Sequence, residues 1–71
     1  MDILIFKTNI YSPSEFSPLK NLLRETYDVQ NCTVDLEDSD KVLRVVGNGL
    51  KVNEIKDRVN NFGFLCEELD D

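Results

Sequence analysis

The chain has 71 residues and a formal net charge of −6, with 14 acidic and 8 basic side chains. A chain this short forms one small domain, residues 1–71, with a thin core, because it buries only about 60% of its unfolded surface. Its acidic charge repels phosphate backbones and anionic lipids, so neither a nucleic acid nor a membrane partner is expected. The apolar run at residues 3–6 is too short for a signal peptide and follows an acid, which predicts a cytoplasmic location.

The first predicted element is a short strand over residues 3–6, which are apolar and strand-favouring. Side chains alternate between the two faces of a strand, so the charged Lys7 lies on the same side as Ile3 and Ile5 and marks that side as the one away from the core. We therefore expect Leu4 and Phe6 to face the core.

The next segment has the signals of a helix start. Ser12 fits the N-cap position, Pro13 fits the first helical position, and Glu15 completes a capping box. Pro18 complicates this prediction because it lacks an N–H and disfavours a helical Ser17. Either the helix kinks at Pro18, or a single turn at Ser12 precedes a helix capped by Ser17. The apolar face of the helix would carry Phe16, Leu19, Leu22, Leu23 and Tyr27.

Two strands and a tight turn are predicted next. Cys32, Val34 and Leu36 alternate with polar residues, as in a half-buried strand, and the acidic residues 37–40 supply turn chemistry. Residues 41–46 then return as an antiparallel strand. One side of that strand carries Leu43 and Val45, and the other carries Val42, Arg44 and Val46.

The glycine-rich residues 47–49 are predicted to break this strand and to precede a second helix. Gly63 fits the left-handed position that ends a helix, and residues 64–66 open a last short strand. The acidic tail, about residues 68–71, is predicted to fray. The apolar stripe of the second helix carries Leu50, Val52, Ile55, Val59 and Phe62.

The order strand, helix, strand, strand, helix, strand predicts an α+β fold. It is a ferredoxin-like βαββαβ sandwich, a four-stranded antiparallel sheet with two helices on one face. The other face of the sheet would then be open, and adjacent exposed apolar residues can form a partner site or a homodimer face. The candidate partner surface consists of Ile3, Ile5, Val42, Arg44 and Val46.

Several segments resemble one known family, and the resemblance covers nearly the whole chain. These segments are residues 6–10, 27–36 and 40–45, and the Gly63-Phe64 pair. The pattern resembles the heavy-metal-associated (HMA) domain, the family of small copper chaperones and of N-terminal modules of metal-transporting ATPases. The resemblance implies the same fold, and it implies metal binding through Cys-x-x-Cys in the loop after the first strand.

The two cysteine positions of that motif, counted back from Val29, fall on Ser12 and Glu15. A serine hydroxyl and a single carboxylate do not replace soft thiolates as ligands for Cu(I). The chain has no histidine and one methionine, Met1, so no alternative soft ligand set is visible. We therefore expect a degenerate member of the family, with no resident metal and no cofactor.

The two cysteines are expected to fill the core. Cys32 shares the inward side with its alternating neighbours, and the resemblance places Cys66 on the opposite edge strand, too far away for a disulfide or a shared metal. The alternative is a copper- or zinc-binding protein or chaperone with non-standard ligands, such as Cys66 with Glu67 and Glu68. No enzyme is expected, because general acid–base catalysis most often uses histidine.

Three hypotheses about function stay open at this point. The first is a metal-free interaction module that binds an unknown protein partner or a second copy of itself. The second is the metal protein with non-standard ligands, and the third is a relict domain with no independent activity. The absence of a Cys-x-x-Cys motif favours the first over the second.

Overall fold

Residues 1–69 are described by the computed structural model and form one antiparallel sheet with two helices. The elements are β1 (Asp2–Thr8), α1 (Pro13–Thr26), β2 (Val29–Val34), β3 (Leu43–Gly47), α2 (Val52–Phe62) and β4 (Cys66–Glu68). The strands lie in the order β2-β3-β1-β4, and each neighbouring pair is antiparallel. This arrangement confirms the predicted ferredoxin-like fold. Within residues 1–69, no helix combines the length and the apolar character needed to cross a membrane.

β1 has the predicted alternation. Phe6 is fully buried and Leu4 packs against the core, whereas Ile3 has 51% of its surface exposed. The strand pairs with β3 so that Ile3 lies opposite Val46, and with β4 so that Phe6 lies opposite Glu68. The core lies between the sheet and the two helices, and its largest fully buried side chains are Phe6, Ile10, Leu19, Leu23, Leu43, Val45, Ile55 and Val59.

α1 is one continuous helix that begins at Pro13 and runs through Pro18 to Thr26. The separate helix that Ser17 would cap does not form. Pro18 has no N–H, so the helix loses one hydrogen bond at this position. In the part of the helix that follows Pro18, the buried side chains of Leu19 and Leu23 pack against the sheet and keep α1 continuous. Ser12 is the N-cap, as the sequence predicts.

The β2–β3 connection is longer than predicted. Leu36 and Lys41 lie outside the strands, and β3 begins two residues later than expected. Lys41 has a left-handed backbone, with φ of 46°, and its N–H donates to the Asp38 carbonyl at 3.1 Å. A residue in this conformation cannot continue a strand, so the turn extends beyond Asp40.

Gly47 belongs to β3, where the sequence predicted a break, and the chain leaves the strand at Asn48. A side chain on Gly47 would overlap the backbone carbonyl of Asp28, which accepts a hydrogen bond from the Asn48 N–H at 3.0 Å. The pairing of β2 with β3 is irregular at this point, between Val29 and Asn31. Gly47 is therefore required by close backbone contact rather than by a turn.

Gly63 ends α2 as predicted, with a left-handed φ of 117° and its N–H bonded to the Asn60 carbonyl. Phe62, at the end of the predicted stripe, is 38% exposed and stacks on Phe64 with ring centroids 5.9 Å apart. Phe64 packs against the core but precedes β4 in the sequence, because that strand begins only at Cys66. The last strand therefore begins two residues later than the sequence predicts.

The predicted frayed tail divides into two parts. Glu68 pairs with Phe6 in the sheet, and the Leu69 N–H donates to the Ile5 carbonyl at 2.9 Å. The rest of the predicted tail, residues 70–71, lies outside the described residues.

The close contact at Gly47 generates a stability prediction. Gly47→Ala should lower the free energy of unfolding by about 2 kcal/mol or more, because backbone must move to admit the methyl group. Denaturant unfolding followed by circular dichroism measures the change. Gly49→Asn is the control, since Gly49 is left-handed with open space around it and asparagine tolerates that backbone. A nearly unchanged stability for Gly47→Ala would contradict the prediction.

Candidate functional site

The loop between β1 and α1 is fixed at its entry by Thr8. The buried Thr8 hydroxyl donates to the Lys41 carbonyl at 2.6 Å and accepts from the Ile10 N–H at 3.3 Å. The side chain of Ile10 is fully buried, and the Asn9 side-chain oxygen accepts from the Leu65 N–H at 2.9 Å. Core packing and these bonds hold the loop in place with protein groups alone.

Ser12 and Glu15 meet at the start of α1. The Glu15 N–H donates to Ser12 Oγ at 3.3 Å, and the Tyr11 N–H donates to Glu15 Oε2 at 3.0 Å. The carboxylate thus reaches back to the residue before the N-cap, a variant of the predicted capping box. Both side chains act as acceptors for backbone N–H groups that the helix start leaves unpaired.

A basic side chain lies beside this loop. The Lys41 ammonium donates to the Leu36 carbonyl at 2.8 Å and sits 5.9 Å from the centre of the Tyr11 ring, a cation–π contact. Tyr11 itself is 70% exposed. A fixed positive charge next to Tyr11 disfavours a second cation there. Sequence reasoning missed this contact, which joins residues 30 positions apart, and Lys41 has the left-handed backbone described above.

The two cysteines are free and buried on opposite edge strands, Cys32 in β2 and Cys66 in β4. Burial raises the pKa of each thiol from 9.0 to about 11, although Lys20 and Arg24 partly offset the shift at Cys32, and Lys56 does so at Cys66. Both thiols are therefore protonated near neutral pH.

The alternative ligand set of Cys66 with Glu67 and Glu68 does not come together. Consecutive residues of a strand point to opposite faces of the sheet. The Cys66 side chain is buried on the core face, so Glu67, which lies opposite Lys7, points away from it. Among residues 1–69, no three histidine, cysteine, aspartate or glutamate side chains are placed to hold a metal ion together.

A cleft of about 590 Å³, open to solvent, lies between the end of β1, the loop after it, the β2–β3 turn, α2 and the β4 region. Lys7, Lys56 and Asn60 line it, and Lys7 is paired with Asp40 at 3.6 Å. Sequence reasoning missed this cleft, because its walls come from five segments of the chain. The buried, protonated thiol of Cys66 also borders the cleft.

The candidate partner surface lies on the sheet face away from the helices. Ile3 pairs with Val46 and Ile5 pairs with Arg44 across β1 and β3, so the members of this surface are direct neighbours. Ile3 and Arg44 are exposed, and the rest are half-buried. A concavity of about 390 Å³ on this side is lined by Ile5, Thr33, Asp35, Asp38, Val42 and Arg44.

No protein-family model and no curated protein matches the chain. Solved structures do match it over nearly its full length, and those compared are copper-binding domains of the HMA class. The sequence identities are low enough that this likeness establishes the fold alone.

Three of these structures illustrate the similarity. The yeast copper transporter domain Ccc2a, solved in apo and Cu(I)-loaded states, has 22% identity and a TM-score of 0.80 over 97% of this chain and 96% of that one. A copper-binding domain from HMA7, a P-type ATPase, has 20% identity and a TM-score of 0.79 over 99% and 96%. The Cu(I)-loaded first domain of the human copper chaperone for SOD1 has 20% identity and a TM-score of 0.74 over 93% and 89%.

The buried thiols generate a reactivity prediction. A thiol-specific disulfide reagent at pH 8 should modify the folded chain about a hundredfold more slowly than the chain unfolded in guanidinium, because the thiolate is the reactive form. Absorbance of the released chromophore measures both rates. Equal rates in the folded and unfolded chain would show that the thiols are accessible.

The same pKa shifts predict a pH dependence of stability. Between pH 9.0 and about 11 the unfolded chain loses the thiol protons while the folded chain keeps them, so the free energy of unfolding should fall as the pH rises through this range. Cys32→Ala with Cys66→Ala is the control and should show a shallower fall.

Proposed function

We propose that this chain is a metal-free protein-interaction domain on the fold of copper-binding HMA domains. The observation that carries the proposal is the state of Ser12 and Glu15, which cap α1 at the two positions where the HMA motif has cysteines. Oxygen atoms bonded to backbone N–H groups are poor replacements for two thiolates.

The surroundings of the loop support this proposal. The Thr8 and Asn9 hydrogen bonds and the buried Ile10 hold the loop without a metal, and the Lys41 ammonium already supplies a positive charge beside it. A thiol must lose its proton to bind a metal, and a pKa of about 11 opposes this at both Cys32 and Cys66. The chain would then be non-enzymatic and cytoplasmic, with its thiols reduced.

The fold is compatible with a protein partner. One similar structure, at 22% identity and a TM-score of 0.81, is a complex of Ccc2a with Atx1 and Cu(I). In this chain the open sheet face, with Ile3, Ile5, Val42, Arg44 and Val46, offers a contact surface that includes no residue of the loop between β1 and α1. We place the interaction there.

The second candidate is a copper- or zinc-binding protein with non-standard ligands. It is favoured by the bound Cu(I) of the similar structures. It requires Cys66 or Cys32 to leave the core, which separates the two candidates experimentally.

A copper titration tests the proposal. The reduced wild-type chain should not compete for Cu(I) or Zn²⁺ with a chelator of known affinity, whereas Ser12→Cys with Glu15→Cys should bind one Cu(I) per chain, because it restores two thiolates at the HMA positions. Ser12→Ala with Glu15→Ala is the matched control, since it removes the same cap without adding thiols.

Metal competition by the wild-type chain would contradict the proposal. If Cys66→Ser then abolished that competition, the second candidate would be correct and the buried position of Cys66 would have to change on binding.

The open sheet face gives a matched pair of variants on one strand. Ile5→Glu should fold, losing about 1 kcal/mol or less, because the side chain lies on the uncovered face. Phe6→Glu should not fold, because it places a carboxylate in the core. Circular dichroism and thermal unfolding distinguish the two outcomes. An unfolded Ile5→Glu would show that this face is required for the fold and is not available to a partner.

A further inference from the structure

We infer that the occupant of the open sheet face is a second copy of this chain, bound in a two-fold symmetric pair. This inference rests on the proposed interaction function and names its partner.

The β2 edge of the sheet is partly protected against strand addition. The Asp35 N–H donates to the Val42 carbonyl at 2.9 Å, and because such bonds alternate along an antiparallel pair, the Cys32 N–H points away from β3. That N–H donates instead to the side-chain oxygen of Asn31 at 3.0 Å. A partner strand would have to displace this bond.

The β4 edge is also a poor template for strand addition. It has three residues, and two of them, Glu67 and Glu68, are exposed acids. Short, charged edge strands are a common protection against pairing with another chain. The sheet is therefore left with its open face as the surface for association.

That face carries both signs of charge, and Arg44 forms no ion pair with Asp35 or Asp38 in one copy. Asp35 and Asp38 each use Oδ1 in the turn, accepting from the Glu37 N–H at 3.1 Å and the Asp40 N–H at 2.8 Å. Arg44 lines the same concavity and has no ion-pair partner within residues 1–69. A surface with an arginine beside two carboxylates is complementary to a rotated copy of itself.

A two-fold axis that crosses the strands brings Arg44 of each copy over the Asp35–Asp38 side of the other. Two equivalent charge-assisted contacts then form, because a guanidinium matches the geometry of a carboxylate. The same rotation brings the apolar residues nearest to Arg44, Ile5 and Val42, against the opposite copy.

The molecule is large enough for such an interface. A standard interface takes about 800 Å² from each partner. The chain exposes 4427 Å² in total and extends 28 Å by 26 Å across its two longer axes. Repulsion between two chains of net charge −6 opposes association, so we expect a dissociation constant in the range of about 10 μM to about 1 mM.

Charge exchange across the pair tests the inference. Sedimentation equilibrium of the wild-type chain up to about 1 mM should show dimers. Arg44→Glu alone and Asp35→Arg alone should each weaken self-association at least tenfold, since each creates two like-charge contacts. An equimolar mixture of the two variants should restore dimers, because each copy then supplies the charge that the other lacks.

Matched controls separate this effect from the change in net charge. Arg58→Glu and Asp57→Arg make the same charge changes on exposed positions of α2 and should leave self-association close to that of the wild type. Asp35→Asn keeps an oxygen for the turn at Glu37 while it removes the charge, so it replaces Asp35→Arg as the single variant if the latter fails to fold. It should weaken the dimer as well.

Three outcomes would overturn the inference. A wild-type chain that stays monomeric at about 1 mM overturns the inference. The proposed metal-free function is then tested separately by the copper titration. A dimer whose two variants fail to rescue each other uses another surface. A dimer that forms only when Cu(I) is added overturns both the inference and the proposed function.

Discussion

The alternation of side chains along β1 fixes both faces of the molecule. β1 lies between β3 and β4, and Phe6 at its centre is fully buried under the helices. Because neighbouring residues of a strand point in opposite directions, the burial of Phe6 places Ile5 on the uncovered face. The position of Ile5 opposite Arg44 then determines which side chains of β3 share that face. A single packing choice in the core thus defines the surface available to a partner.

The loop after β1 is stabilised by interactions within the chain from its first residue to the start of α1. Thr8, Ile10 and the cap at Ser12 stabilise the loop through hydrogen bonds and burial. None of these interactions involves a thiol, so the fold of the segment Thr8 to Glu15 does not depend on a cysteine side chain.

Much of this structure follows from local patterns, and the exceptions depend on tertiary contacts. The apolar periodicity of the helices, the cap at Ser12 and the left-handed Gly63 are local features, and the sequence predicts them correctly. The continuity of α1 through Pro18 could not be predicted, because burial on the far side of Pro18 outweighs its local cost. At the candidate site the roles of Ser12 and Glu15 were predictable, whereas the cation–π contact of Lys41 was not, since lysine rarely adopts a left-handed backbone.

The burial of both thiols has a consequence for the chemical durability of the chain. Oxidation of cysteine to sulfenic acid and beyond proceeds from an accessible thiolate. Cys32 and Cys66 are buried and protonated, on opposite edges of the sheet. The folded chain therefore has little dependence on the reducing power of its surroundings.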